Sequence, residues 1–224
     1  MEAKNELVWD VNGQRFYELG ISKGVLFPYK DGKYQDGVAW NGLTTVTESP
    51  SGADANDMYA DDIKYASIRA AETFGGTIEA YTYPDEFAEC DGSVEPVTGV
   101  SIGQQKRLPF GLSYVTKVGS DTDDELGYKL HLVYGATASP SEKSYQTIND
   151  SPEAITFSWE FTTLPVEVTN HKPTSCITID STKVTNKEYL QALEKVLYGS
   201  EEKKSRLPLP DEVIKILTDG QENP

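Results

Sequence analysis

The chain has 224 residues, 38% of them apolar, and thirty-six acidic against twenty basic residues leave a formal net charge of -16. That length allows one large domain burying roughly 70% of its unfolded surface, and eighteen glycines beside the apolar share make the composition globular rather than disordered. The charge repels phosphate backbones and excludes tight nucleic-acid binding through counterion release, though it suits a wall past which nucleic acid slides without sticking.

No run approaches the ~20 consecutive apolar residues of a membrane span. The opening "MEAKNELVWD" has no apolar core of the signal-peptide kind, so the expected product is soluble and made in the cytoplasm. Asp31-Gly32, Asp36-Gly37 and Asn41-Gly42 then punctuate the first fifty residues as turns. Residues 48–62, "ESPSGADANDMYADD", are long, polar and rich in small residues, and read as an overlong loop of the functional kind. "DIKYASIRA" scores about equally as strand and helix and is taken as strand, and "TIEAYTYP" is a strand by its β-branched and aromatic content. Asp91-Gly92 closes an acidic loop, "PDEFAECDGSVEP".

Period-two alternation dominates the middle of the chain. In "RLPFGLSYVTKV", Leu108, Phe110, Leu112 and Tyr114 line one face, and Pro109 points to an edge or a bulge. Gly119-Ser120 marks a turn. In "YKLHLVYG", Tyr128, Leu130, Leu132 and Tyr134 oppose Lys129, His131 and Val133; in "ITFSWEFT", Ile155, Phe157, Trp159 and Phe161 oppose Thr156, Ser158, Glu160 and Thr162. Each is expected to have one buried and one wet face. "SCITID" is a further strand. "VTNKEYLQALEKVLYG" changes the period: Thr185 and Glu188 form a capping box, Tyr189, Leu190, Leu193, Val196 and Leu197 a helical stripe, and Gly199 a stop. "SEEKKSR" reads as a linker before a short amphipathic helix from about Asp211, whose Val213, Ile214 and Leu217 need a surface to bury against. Strands separated by tight turns, without long intervening helices, predict a mainly β fold, an antiparallel sandwich or barrel with a flanking helix. The expected division is a β domain with its helix over residues 1–199, and a linker with the short helix over 200–224.

Gly99-Val100-Ser101-Ile102-Gly103 matches the G-x-S-x-G elbow of serine hydrolases, but that motif needs a strand-to-helix turn on an alternating α/β sheet. Here Pro109 and a strand pattern follow, so Ser101 reads as a turn residue. Cys90 lies among Asp85, Glu86, Glu89 and Asp91, which raise a thiol's pKa rather than activate it. Cys90 and Cys176 form no C-x-x-C and read as reduced thiols. "DTDDELG" offers alternating carboxylates, yet a calcium loop needs glycine at its sixth position and glutamate at its twelfth, where Leu126 and Leu132 stand. His131, on a strand's polar face, and His171, in a loop, have no local partners for a metal. Asn149-Asp150-Ser151 fits the glycosylation sequon, but Pro152 follows it. No phosphate-binding glycine motif is present. The expectation is a protein without catalytic residues, cofactor or metal.

Longer phrases carry a resemblance. "KGVLFP" with "GVAWNGLTTVTESPSGA", then "YADDIKYASIRAAETFGGTIEAYTYPDEFAECDG", "GYKLHLVYGATASPSEKSYQTINDSPEAITFSWEFTTLPVEV" and "LPLPDEVIKIL" resemble the major tail proteins of long-tailed phages and prophages of Gram-positive bacteria, over most of the chain. The resemblance implies a tail-tube β-sandwich or barrel, subunits joined in hexameric rings, and rings stacked through long loops around a channel for double-stranded DNA. It implies no enzyme activity. The partners it implies are further copies, a tape measure, a tail terminator and a baseplate or tip, in a virion tail assembled in the host bacterial cytoplasm. Ser49, Pro50, Ser51, Gly52, Ala53, Asp54, Asn56, Asp57 and Tyr59 are the first candidates for the inter-subunit loop, and residues 29–39 the second. Such loops, ordered only on assembly, would keep free subunits apart. Two other readings stay open: a β-sandwich that decorates a capsid or binds carbohydrate, and a hydrolase acting through Ser101.

Overall fold

The computed structural model describes residues 7–52, 54–148, 150–151 and 153–218. The chain enters through β1 (Phe16–Lys30), a strand long enough to bend twice, with register shifts against its neighbour around Ser22 and left-handed residues at Gly20 and Lys23. Asp31 and Gly32 are both left-handed, at φ 54° and 79°. A two-residue turn of this hand matches strand twist, and it joins β1 to β2 (Lys33–Tyr34) as the Asp-Gly pair predicts. β3 (Val38–Trp40) returns along Gly24–Leu26 of β1, and Asn41-Gly42 leads into β4 (Leu43–Glu48).

The chain then leaves the sheet through β5 (Ser51–Gly52), β6 (Ala55–Ala60), β7 (Ile63–Arg69) and β8 (Glu72–Thr73), and re-enters beside β4 as β9 (Gly75–Ala80). A one-turn helix, α1 (Phe87–Cys90), and a small hairpin, β10 (Val94–Val97) with β11 (Val100–Ile102), precede the long central strands β12 (Phe110–Ser120) and β13 (Gly127–Ala138). β14 (Phe157–Thr163), β15 (Cys176–Asp180), α2 (Lys187–Tyr198) and α3 (Pro210–Thr218) complete the chain. Nine strands form one antiparallel sheet in the order β2-β1-β12-β13-β14-β9-β4, with β3 also on β1 and β15 also on β13. β14 takes Ala136–Ala138 of β13, and β15 takes Lys129–Val133. The mainly β expectation is met.

Two cores lie on opposite faces of this sheet. Leu26, Trp40, Ile78, Phe110, Leu112, Val133, Trp159 and Phe161 pack on one, with Phe87 of α1 set among the rings. Phe27, Leu130, Leu132, Tyr134 and Ile179 pack on the other, beneath Leu190, Leu193 and Leu197 of α2 and Val213 of α3. The expected wet face of β13 is therefore corrected at Val133, which is fully buried. α2 and α3 cover one face while β14, β9 and β3 supply the other core. Gly135 explains how Val133 and Ala136 reach the same core despite opposite parity. It sits at φ 59°, beside a register shift between Phe110 and Leu112, and a Cβ there would stand 2.2 Å from the Leu164 carbonyl oxygen. Only glycine tolerates both conditions.

Four further expectations change or narrow. Pro109 marks no edge, since it precedes β12, which is flanked on both sides, and its carbonyl accepts from the Tyr29 N–H at 2.8 Å; the alternative reading, a bulge, agrees with the register shift between Phe110 and Leu112. The α2 cap is Asn186 rather than Thr185; its side chain accepts the Glu188 N–H at 2.9 Å. "SEEKKSR" folds back on α2 through Arg206 N–H to the Val196 carbonyl, and Leu207 is buried in the same core as α2. The α3 stripe uses Val213, Ile216 and Leu217, leaving Ile214 exposed.

Candidate functional site: a projecting hairpin and its base

Residues 48–62 are not a loop. They run up one side of an arm built on β5–β8 and capped by the hairpin β6–β7. The hairpin turns at Asp61-Asp62, both left-handed at φ 52° and 61°, with Ala60 opposite Ile63. Aspartate tolerates this conformation better than most residues, so the turn forms without glycine. Register then assigns the faces, because directly opposed residues share one. Asn56 faces Ile68, Met58 faces Ala66 and Ala60 faces Ile63, which makes one side almost wholly apolar. Ala55, Asp57 and Tyr59 meet Arg69, Ser67 and Lys64 on the other, which is polar. Asp57 there accepts from Lys64 at 2.8 Å and from the Ser67 hydroxyl at 2.7 Å, and these bonds hold its carboxyl below the usual range.

The apolar side has no cover. Met58, Ile63 and Ile68 are 46%, 64% and 59% exposed, and Tyr65, extra at the bulge between Met58 and Tyr59, is 73% exposed. An isolated hairpin is marginally stable in water, and an apolar face turned outward marks an interaction surface. Of the sequence candidates, Ser49 donates its N–H to Gly75 and Ser51 bonds Thr73 at 2.9 Å at the arm's base. Pro50 and Gly52 belong to the same base, and Gly52 is left-handed at φ 91°. Asp54, Asn56, Asp57 and Tyr59 climb the arm, and Ala53 lies outside the described residues. The second candidate segment, 29–39, does not project: Tyr34 packs edge-on to Tyr134 and its hydroxyl accepts the Gly135 N–H at 2.9 Å.

A polar cluster fixes the arm's root. Glu48, the last residue of β4, accepts a 2.6 Å hydrogen bond from the Tyr114 hydroxyl and lies 3.5 Å from His131 Nδ1. The Tyr114 and His131 rings stack at 4.6 Å with planes 3° apart, as their opposed positions on β12 and β13 allow. His131 Nε2 meets the Thr116 hydroxyl at 3.0 Å, which in turn reaches Glu18, partner of Lys129. His131, then Tyr114, pull the Glu48 carboxyl below its ordinary pKa against the opposing effect of burial. Burial, reinforced by Glu48, raises Tyr114. Sequence reasoning placed His131 on a strand but missed this cluster, whose members lie 66 and 15 residues apart.

Ser101 sits in β11, an exposed strand of a two-stranded hairpin, beside the left-handed Gly99 rather than in the turn itself. No strand-to-helix elbow surrounds it. Cys90 is fully buried; burial first, then Glu89 and Asp91, push its thiol up to about 12. Burial also raises Cys176. The acidic 121–127 loop is a clasp: Asp121 accepts the Gly13 N–H at 3.0 Å and Asp124 accepts the Tyr17 hydroxyl at 2.6 Å. Among the described residues no group of three His, Cys, Asp or Glu side chains is placed to hold a metal. No helix among them is long and apolar enough to cross a membrane. No protein-family model matches the chain, and no curated protein matches it.

Proposed function

We propose that this chain is the structural subunit of a phage tail tube, joining in hexameric rings that stack into a conduit for double-stranded DNA. The observation that carries the reading is the projecting arm, a hairpin with one polar face and one uncovered apolar face. Such a face gains its stability from a partner. The main sheet also has open edges: among the described residues β4 pairs only with β9, β15 only with β13, and the first half of β1 only with β12. A ring in which each copy continues its neighbour's sheet removes such edges. On this reading the curved sheet closes as a tail-tube sandwich or barrel flanked by α2 and α3. The arm, with Ser49–Gly52, Asp54, Asn56, Asp57 and Tyr59, reaches a neighbour. The net charge of -16 keeps the channel from gripping DNA. Its other partners are the tape measure, terminator and tip proteins of the virion tail, and it has no catalytic role.

Negative-stain microscopy of the purified full chain tests this, with rings or tubes of constant diameter expected. A protein that stays monomeric at every concentration, or that binds glycans as a monomer, overturns it.

A further inference from the structure

The β10–β11 hairpin, which carries the Gly99–Gly103 motif, contributes no residue to either core. Val94, Val97, Val100 and Ile102 are 41%, 65%, 52% and 45% exposed on so short an element. Directly after it come Lys106 and Arg107. Of the carboxylates in the preceding acidic segment, Glu89 pairs with Lys30 at 3.3 Å, Asp91 with Lys143 at 2.7 Å and Glu95 accepts the Gly99 N–H, while Asp85 and Glu86 make no ion pair among the described residues. Lys106 and Arg107 make no ion pair among the described residues, and Arg107 Nε is buried without a hydrogen-bond partner. The arm presents the complementary pattern, an apolar strip of Met58, Ile63 and Ile68 ending in an acidic turn at Asp61 and Asp62, which also make no ion pair there.

We infer that the β10–β11 hairpin of one copy is the docking surface for the β6–β7 arm of another. Apolar side chains meet along the two hairpins, and Asp61-Asp62 sets against Lys106-Arg107. This rests on the proposed self-assembly and adds its receiving surface. The two patches belong to different parts of the same chain, so the contact is heterologous and propagates from copy to copy. Opposed charges at its rim choose the register, while like charges there oppose docking.

The test is charge reversal in the full chain, read by the concentration for half-assembly in sedimentation. Asp61→Lys with Asp62→Lys, and separately Lys106→Glu with Arg107→Glu, each raise that concentration about tenfold or more, and combining all four restores it to within about threefold. Asp61, Asp62 and Lys106 are exposed while Arg107 is half-buried, so thermal melting of each variant must match that of the unaltered chain to show that folding is kept. A second readout does not depend on ordered particles. Copies carrying Ile63→Cys mixed with copies carrying Val97→Cys, both in a Cys176→Ser background, form a disulfide-linked dimer that neither forms alone. If the unaltered chain makes tubes while the reversed variants assemble as well, or the combination fails to recover, the docking surface is overturned and the tube reading stands. If the unaltered chain stays monomeric the tube reading falls, and absence of the mixed disulfide at the same concentration overturns the docking too.

Discussion

Removing the Glu48 carboxylate from the root of the arm should cost folding stability chiefly through one buried donor, the Tyr114 hydroxyl, with His131 at 3.5 Å its second partner. Tyr114 is 3% exposed and donates its hydroxyl to Glu48 at 2.6 Å. A hydrogen bond to a charged group contributes ~1.5–3 kcal/mol, and leaving its buried donor without an acceptor costs ~1–3 kcal/mol. The Glu48 side chain is 35% exposed, so water screens part of this, and the lower half of the range applies. Glu48→Ala is therefore expected to cost about 1.5 kcal/mol, which for a chain of this size lowers Tm by roughly 3–6 °C. Tyr114→Phe removes the other partner, and the double variant should cost about 1 kcal/mol less than the sum of the singles. Urea denaturation of the four proteins at pH 7 supplies the cycle. Because the folded carboxyl titrates below its unfolded value, the coupling is fully present above the unfolded carboxylate pKa of about 4.3, and it fades as pH falls through the depressed folded value. Singles that add within ~0.3 kcal/mol at pH 7, or a coupling that grows on acidification, would refute the reasoning.

Replacing residues 54–70 with two glycines should leave Tm within ~3 °C, because the arm buries little of the core, while abolishing assembly in sedimentation; deleting 51–57 alone would instead leave β7 without its partner strand. Gly135→Ala combines a left-handed backbone with a Cβ pressed onto the Leu164 carbonyl. It is expected to lower stability by ~2 kcal/mol or more in urea. Cys90, buried and with its thiol pushed up to about 12, should resist iodoacetamide at pH 8 until the protein unfolds. Mass spectrometry of the alkylated peptide at rising urea concentrations checks this, and rapid labelling of Cys90 in the native protein would contradict its placement.

Elements whose signal is local were legible in the chain. The strands around Leu112, Leu132 and Trp159 announce themselves because alternation puts successive side chains on opposite sides. α2 does so because Leu190, Leu193 and Leu197 recur at helical spacing and Gly199 permits a left-handed stop. The arm was harder to read. "ANDMYA" interleaves small and polar residues with only Met58 and Tyr59 as bulk, and Asp61-Asp62 lacks the glycine that usually signals a hairpin. The strand pattern of residues 63–69 after an acidic pair was the available clue. The cap differed by one position because both Thr185 and Asn186 can accept an N–H, and only backbone direction selects between them.

The mainly β class, the central strands, the terminal helices and the acidic charge can be read from the chain without its fold. All follow from propensity, period and charge carried by neighbouring residues. Only the three-dimensional arrangement buries Val133 on the face of β13 opposite Leu132 and Tyr134, brings Glu48, Tyr114 and His131 together, and turns the apolar side of the arm outward. Each depends on strand order and register, which bring together residues many positions apart; a one-residue shift in pairing exchanges the faces. No local pattern carries that information.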